Sequence, residues 1–319
     1  MTVARFHHWL SFVAAASIAV IAGPARADDV TRDLPPPMQL RDLDYGDVLF
    51  HFFQDEYFEA LVRLEVSRDF GRIPHHEAEA ELLSGGLYLS LGLYDEAEKI
   101  FNRLLAGPVP QSVSDRAFFY LARSEYQRGF VDDAWRNLER IRGPLPGNLE
   151  PERRLLASNV LMAQGRYGEA VVQLTGWTDQ EGWSDYARFN LGVALIRSGQ
   201  TELGRDFLGK VGGMPAATEE QLALRDRANL ALGFASLQQH DAEGAVAALS
   251  RVRLDGPFTN RALLGLGWAE LDARRPERAL VPWLALRDSK VIDSAVQESF
   301  LAVPYAYTQL AANGQAAQQ

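Results

Sequence analysis

The chain contains no cysteine among its 319 residues. That absence excludes thiolate catalysis, disulfide staples and a diacylated amino-terminal cysteine, so an exported form must be held together by packing alone. Acidic residues are missing from the first 27 positions. That stretch runs from Arg5 through the apolar WLSFVAAASIAVIAG (Trp9 to Gly23) to Pro24 and the Ala25-Arg26-Ala27 ending. The layout is that of a secretory signal peptide, residues 1–27, cut after Ala27. An uncleaved anchor is the competing reading, disfavoured by Pro24 and the shortness of the apolar run. Nothing later is apolar for long enough to span a bilayer. A soluble exported product without a lipid anchor fits the periplasm of a Gram-negative cell.

Catalytic signatures are also missing. The stretch PHHEAEAE (Pro74 to Glu81) offers His75, His76 and Glu79 at helical spacing, but not the His-Glu-x-x-His order of a zinc hydrolase. Lys210 stands among glycines that do not follow the phosphate-loop order. No histidine pairs visibly with a serine and an acid. The expectation is a chain with no catalytic residues, no metal and no cofactor. Basic charge is short as well. Loss of Arg5 and Arg26 from 32 basic residues, with all 42 acidic ones kept, takes the formal charge from −10 to −12. That sign repels a phosphate backbone and argues against nucleic acid as a partner.

What the chain does have is a repeated grammar. GLYDEAEKIF (Gly92 to Phe101) returns at GFVDDAWRNL (Gly129 to Leu138) and GRYGEAVVQL (Gly165 to Leu174). Small residues stand four before large apolar ones at Ala60/Leu64, Ala97/Phe101, Ala134/Leu138, Ala170/Leu174, Gly204/Leu208, Ala245/Leu249 and Ala279/Trp283. The intervals are 37, 37, 36, 34, 41 and 34 residues. Another amphipathic segment precedes most of these, so each unit reads as helix, turn, helix. Two such helices nest only if small residues sit where they cross and a large neighbour fills the gap. Gly92, Gly129, Gly165 and Gly199 fall at the turns, where positive φ is needed after a helix end. Pro282 and Pro304 sit inside helical patterns and are expected to kink them.

These units resemble the tetratricopeptide repeat, carried by Gly85/Tyr88, Leu121/Ala122, Leu191/Gly192, Leu232/Gly233 and Leu266/Gly267 in first helices and the small/large pairs in second ones. The resemblance implies an all-α, right-handed α-solenoid of about seven helix-turn-helix units over residues 44–319. A linker, 28–43, precedes it. A last unit has a second helix barely begun at Gly314. A Sel1-like or half-a-TPR array is the alternative left open by the wandering unit lengths.

In such arrays first helices line a concave face along which partners lie. The predicted inner row holds Leu82, Phe119, Leu155, Phe189, Leu230 and Leu264. A second row, four residues on, holds Gly86, Arg123, Asn159, Val193, Phe234 and Trp268. Arg116, Arg227 and Arg261 start the same faces. The candidate protein-binding residues are therefore Arg116, Phe119, Arg123, Asn159, Phe189, Arg227, Phe234, Arg261 and Trp268. Packing of the first row against neighbouring first helices is the competing reading. The family's carboxylate clamp pairs a basic residue with Asn; only Asn159 matches, and Leu155 stands in the basic place. Expected function is that of a non-enzymatic periplasmic scaffold binding an envelope protein segment in an assembly or export pathway. The alternative is a glycan-binding module stacking sugars on Trp177, Trp183, Tyr186 and Trp268.

Overall fold

The computed structural model describes residues 40–147, 149–177 and 184–318. The signal peptide and residues 28–39 of the linker lie outside these, as does Trp183. Among the described residues all regular structure is helical. Two compact units divide the chain, one ending at Gln173 and the other starting at Leu174.

The first unit pairs α1 (Leu43–Phe53) with α2 (Tyr57–Asp69), α3 (Glu77–Ser90) with α4 (Tyr94–Ala106), and α5 (Gln111–Gln127) with α6 (Val131–Leu138). It continues through α7 (Leu149–Ala163) to α8 (Tyr167–Leu174). The second unit pairs α9 (Ser184–Arg197) with α10 (Thr201–Gly212), α11 (Glu219–Gln238) with α12 (Ala242–Leu249), and α13 (Thr259–Asp272) with α14 (Pro276–Arg287). It ends with α15 (Ser294–Gln309) and the short α16 (Asn313–Gln318). Within each unit a pair's second helix also packs on the first helix of the next pair.

The small/large register is what closes each pair. Every small residue of the seven predicted pairs is buried, and so is every large partner. A methyl group on Gly85 would overlap the Phe101 ring, and one on Gly267 would overlap the Trp283 indole. First and second helices therefore touch where the first has no side chain. At the turns, glycine supplies positive φ in four repeats, at Gly92, Gly129, Gly165 and Gly199. His240 and Arg274 hold the same left-handed turn at φ 56 and 58, with the steric cost of a Cβ there. Helices α14 and α15 run through Pro282 and Pro304.

Connectors between pairs are held by acids and amides on first helices. Asp115, buried in α5, accepts from the backbone N–H groups of Arg142 and Gly143, both at 3.0 Å, and from the Gln111 amide at 2.7 Å. In α11 the buried Asp226 accepts from the Arg253 backbone at 3.3 Å and from its Nε at 2.7 Å. Asn260 of α13 donates to the Val291 carbonyl at 3.2 Å. Asp42, just before α1, accepts the His75 N–H at 2.8 Å. Each bond pairs a backbone group of a connector, at the exposed or half-covered edge of the pair, with a first-helix side chain or its flank. His75 and His76 are thus structural: the His76 ring stacks on Tyr45 with centroids 5.1 Å apart.

Candidate interaction surface

In the first unit, Leu82 on α3, Phe119 on α5 and Leu155 on α7 are all buried, Phe119 completely. Phe119 belongs to the core cluster around Phe101, Tyr120 and Leu138, so it cannot be a groove anchor for a partner. The row four residues on is half-buried at Arg123 and Asn159, while Gly86 is covered. Arg123 places its guanidinium 5.6 Å from the Phe119 ring centroid and 5.2 Å from that of Tyr120. It also donates to Glu152 of α7 at 3.4 Å. The cation is spent on one intramolecular network. Arg116, half-exposed, turns its Nε back to the Ser112 carbonyl at 3.2 Å.

In the second unit the first row again belongs to the core. Phe189 on α9, Leu230 on α11 and Leu264 on α13 are buried, so Phe189 is corrected in the same way as Phe119. Arg227 lies over the Phe189 ring at 4.9 Å and covers it from α11, the next first helix. The row four residues on differs in chemistry from the first unit. Phe234 and Trp268 are half-buried, with Arg227 and Arg261 also partly exposed. The Trp268 ring meets Trp283 edge-on with centroids 4.9 Å apart and lies 6.4 Å from Tyr305 on α15. Its indole N–H donates to Glu298 at 2.8 Å. Burial pushes the Glu298 carboxyl above its ordinary range, and the Trp268 bond offsets part of that. Trp268, Glu298 and Tyr305 form an aromatic ledge with a single reluctant carboxylate.

The sequence alone did not point to Glu298 or Tyr305, although for Tyr305 a signal existed. Tyr305 stands 37 residues after Trp268, one repeat length, and simply continues the row. Of the predicted stacking residues, Trp177 is buried and Tyr186 donates its hydroxyl to Glu220, while Trp183 lies outside the described residues. That bond, after burial, raises the Tyr186 phenol above its usual range.

Two solved structures share this architecture. The apo form of RapI aligns with a TM-score of 0.61 at 12% identity, over 86% of this chain and 83% of that one. A tetratricopeptide repeat protein from Parabacteroides merdae aligns with a TM-score of 0.53 at 12% identity, over 82% of this chain and 99% of that one. Residues 230–289, from the middle of α11 to just past α14, match the tetratricopeptide repeat family model. This segment carries tetratricopeptide repeats, and the chain as a whole shares the fold of such proteins. No curated protein matches it. The matched residues include Phe234, Arg261 and Trp268.

Proposed function

We propose that this protein is a non-catalytic scaffold of the bacterial cell envelope, exported by residues 1–27, which holds a protein segment against the first helices of its second unit. The observation that carries this reading is the half-exposed row of Phe234, Trp268 and Tyr305 beside Arg227 and Arg261. Aromatic anchors and arginine are the side chains that contribute most when an interface desolvates them. The arginines favour an acidic or carboxylate-bearing stretch in the bound segment, because local potential steers encounter even on a chain of negative net charge. In the first unit, the same faces hold the polar Arg123, Asn159 and Arg116 instead.

Crosslinking in intact cells, followed by mass spectrometry, tests the scaffold. Wild-type protein should capture the same envelope proteins repeatedly, and the Phe234→Ala, Trp268→Ala double variant should lose them with helical circular dichroism unchanged. Equal capture by that variant would overturn the assignment of the row. The export part stands on the intact mass: protein from the periplasm should begin at Asp28, and retention of Met1 to Ala27 would defeat it.

A further inference from the structure

The outer face of the first helix pair is built unlike that of its neighbours. On α2, Phe58, Val62 and Val66 form one line at four-residue spacing and are 69%, 42% and 44% exposed. Measured from the small residue of each second helix, the same three positions hold Asp95, Lys99 and Arg103 beside Ala97. They hold Asp132, Arg136 and Arg140 beside Ala134, and Glu202, Asp206 and Lys210 beside Gly204. The lines of α8 and α14 each carry one large apolar residue, Val172 and Val281. Only α2, among the described second helices, has large apolar groups at all three.

On α1, the helix paired with α2, Leu43 and Phe50 are 85% and 60% exposed. The Asp47–Arg63 ion pair, 2.7 Å long, ties the α1 edge to α2. One repeat later, 37 residues on, the equivalents of Leu43 and Phe50 are Ala80 and Leu87 of α3. Both are buried in the cluster formed with Ala60, Leu61 and Leu64 of α2. A first helix thus uses these positions to receive a preceding second helix, and on α1 they are open and apolar. The molecule's own α2–α3 contact says that the shape which fits there is a helix.

Charge says which helix. Residues 41–72 carry eight carboxylates against four guanidinium groups. Asp47 and Glu59 share the one guanidinium of Arg63, and Glu56 meets His51, yet about half of each carboxylate side chain stays exposed beside the apolar lines and their sum with Arg63 is negative. Two such faces, or one face and an anionic lipid surface, repel one another. We propose that the outer face of α1 and α2 docks an amphipathic helix of another protein, whose apolar stripe is flanked by Lys and Arg. Leu43, Phe50, Phe58 and Val62 receive the stripe, and Asp47, Glu56 and Glu59 meet the basic flanks. This surface is separate from the first-helix row of the second unit.

The test is a fluorescence-anisotropy titration of a labelled Leu/Lys amphipathic model helix with the purified protein. The expected result is saturable binding, at least tenfold weaker in Phe58→Ser, Val62→Ser protein of unchanged circular dichroism and thermal midpoint. A Leu/Glu version of the peptide should bind at least tenfold more weakly, and the Phe234→Ala, Trp268→Ala variant should bind as wild type. If the serine variant does not fold, Glu56→Lys, Glu59→Lys serves instead and should lose most of the preference for the Lys peptide. Equal binding by wild type and face variants overturns the proposal. So does a dimer in light scattering that these substitutions dissolve, which assigns the face to a second copy. Sedimentation with anionic vesicles that depends on Phe58 and Val62 overturns it in favour of a lipid surface.

Discussion

The two units treat the same row of their first helices in opposite ways. In the first, Arg123 is bound to Glu152 and laid over Phe119 and Tyr120, so the row is polar and internally satisfied. In the second, Phe234, Trp268 and Tyr305 leave aromatic surface partly open, with one carboxylate, Glu298, held under Trp268. Beneath both rows the helix contacts follow one rule: a side chain too large for its own helix fills the gap left by a residue too small on the other. The contact inside a pair is therefore the constrained element of this fold. The stripe beside it is free to take either chemistry, because it is only half covered.

The rule for the pair contact should hold equally in both units. Gly85→Ala and Gly267→Ala each put a methyl group into a buried ring, Phe101 or Trp283. Each should cost about 3 kcal/mol in chemical denaturation, despite the better helix propensity of alanine. Ala134→Arg, at a fully buried crossing, should cost about 3 kcal/mol or more, since it adds bulk and an unpaired charge. Asp132→Arg, two residues away and exposed, should change stability by no more than about 0.5 kcal/mol. Similar losses from Ala134→Arg and Asp132→Arg would mean the register is wrong.

Connector anchoring should separate the units by a smaller margin. Asp226→Ala leaves the Arg253 guanidinium with Glu219 and removes both the buried charge pair and the acceptor of the Arg253 backbone N–H, and should cost about 3 kcal/mol. Asp115→Ala leaves two neutral N–H groups, of Arg142 and Gly143, and should cost about 2 kcal/mol. Urea midpoints of the two variants measured side by side give the ranking, and a larger loss at Asp115 would contradict it.

Turn residues should move stability in opposite directions. Gly129→Ala, at φ 86, should destabilise by about 1 kcal/mol, whereas Arg274→Gly, at φ 58, should stabilise by about 0.5 kcal/mol. Thermal midpoints of both variants check the sign. The smallest effect concerns the two glutamates of the compared rows. The folded state holds the Glu298 carboxyl above its ordinary value, so its protonation favours folding at low pH. That contribution is lost as pH rises through the raised folded value. Glu298→Gln, which keeps an acceptor for Trp268, should therefore gain a few tenths of about 1 kcal/mol at pH 7, once solvent screening is allowed for. Glu152→Gln weakens the bond to Arg123 and should lose a similar amount. Stability curves against pH that move in the same direction for both would erase the distinction between the rows.

The pairing scheme could be read from the chain because its signals are local. Ala97 and Phe101 lie one helical turn apart, and Gly92 stands where the preceding helix must stop, so the spacing alone implies two nested helices. The candidate row was only half legible. Phe119 and Phe189 have the composition of anchors, but Arg123 and Arg227 fold over them and they complete the core. Tyr305 was within reach of the same register, one repeat past Trp268, whereas the placement of Glu298 under the Trp268 indole had no such marker. The apolar outer line of α2 was written in Phe58, Val62 and Val66, yet it gains meaning only beside the charged lines of α4, α6 and α10.

Order along the chain was enough to specify all-helical pairs, their turns and the residues at each crossing, since those depend on contacts between residues a turn apart or one short hairpin apart. Tertiary packing decided which of two adjacent stripes on a first helix is covered, which acid reaches which connector, and which apolar line is left open. Those outcomes depend on how one pair lies against the next, 27 to 37 residues away in sequence, as between Asp226 and Arg253 or between Trp268 and Tyr305. A side chain's own pattern cannot report a neighbour that arrives only when the next pair has docked.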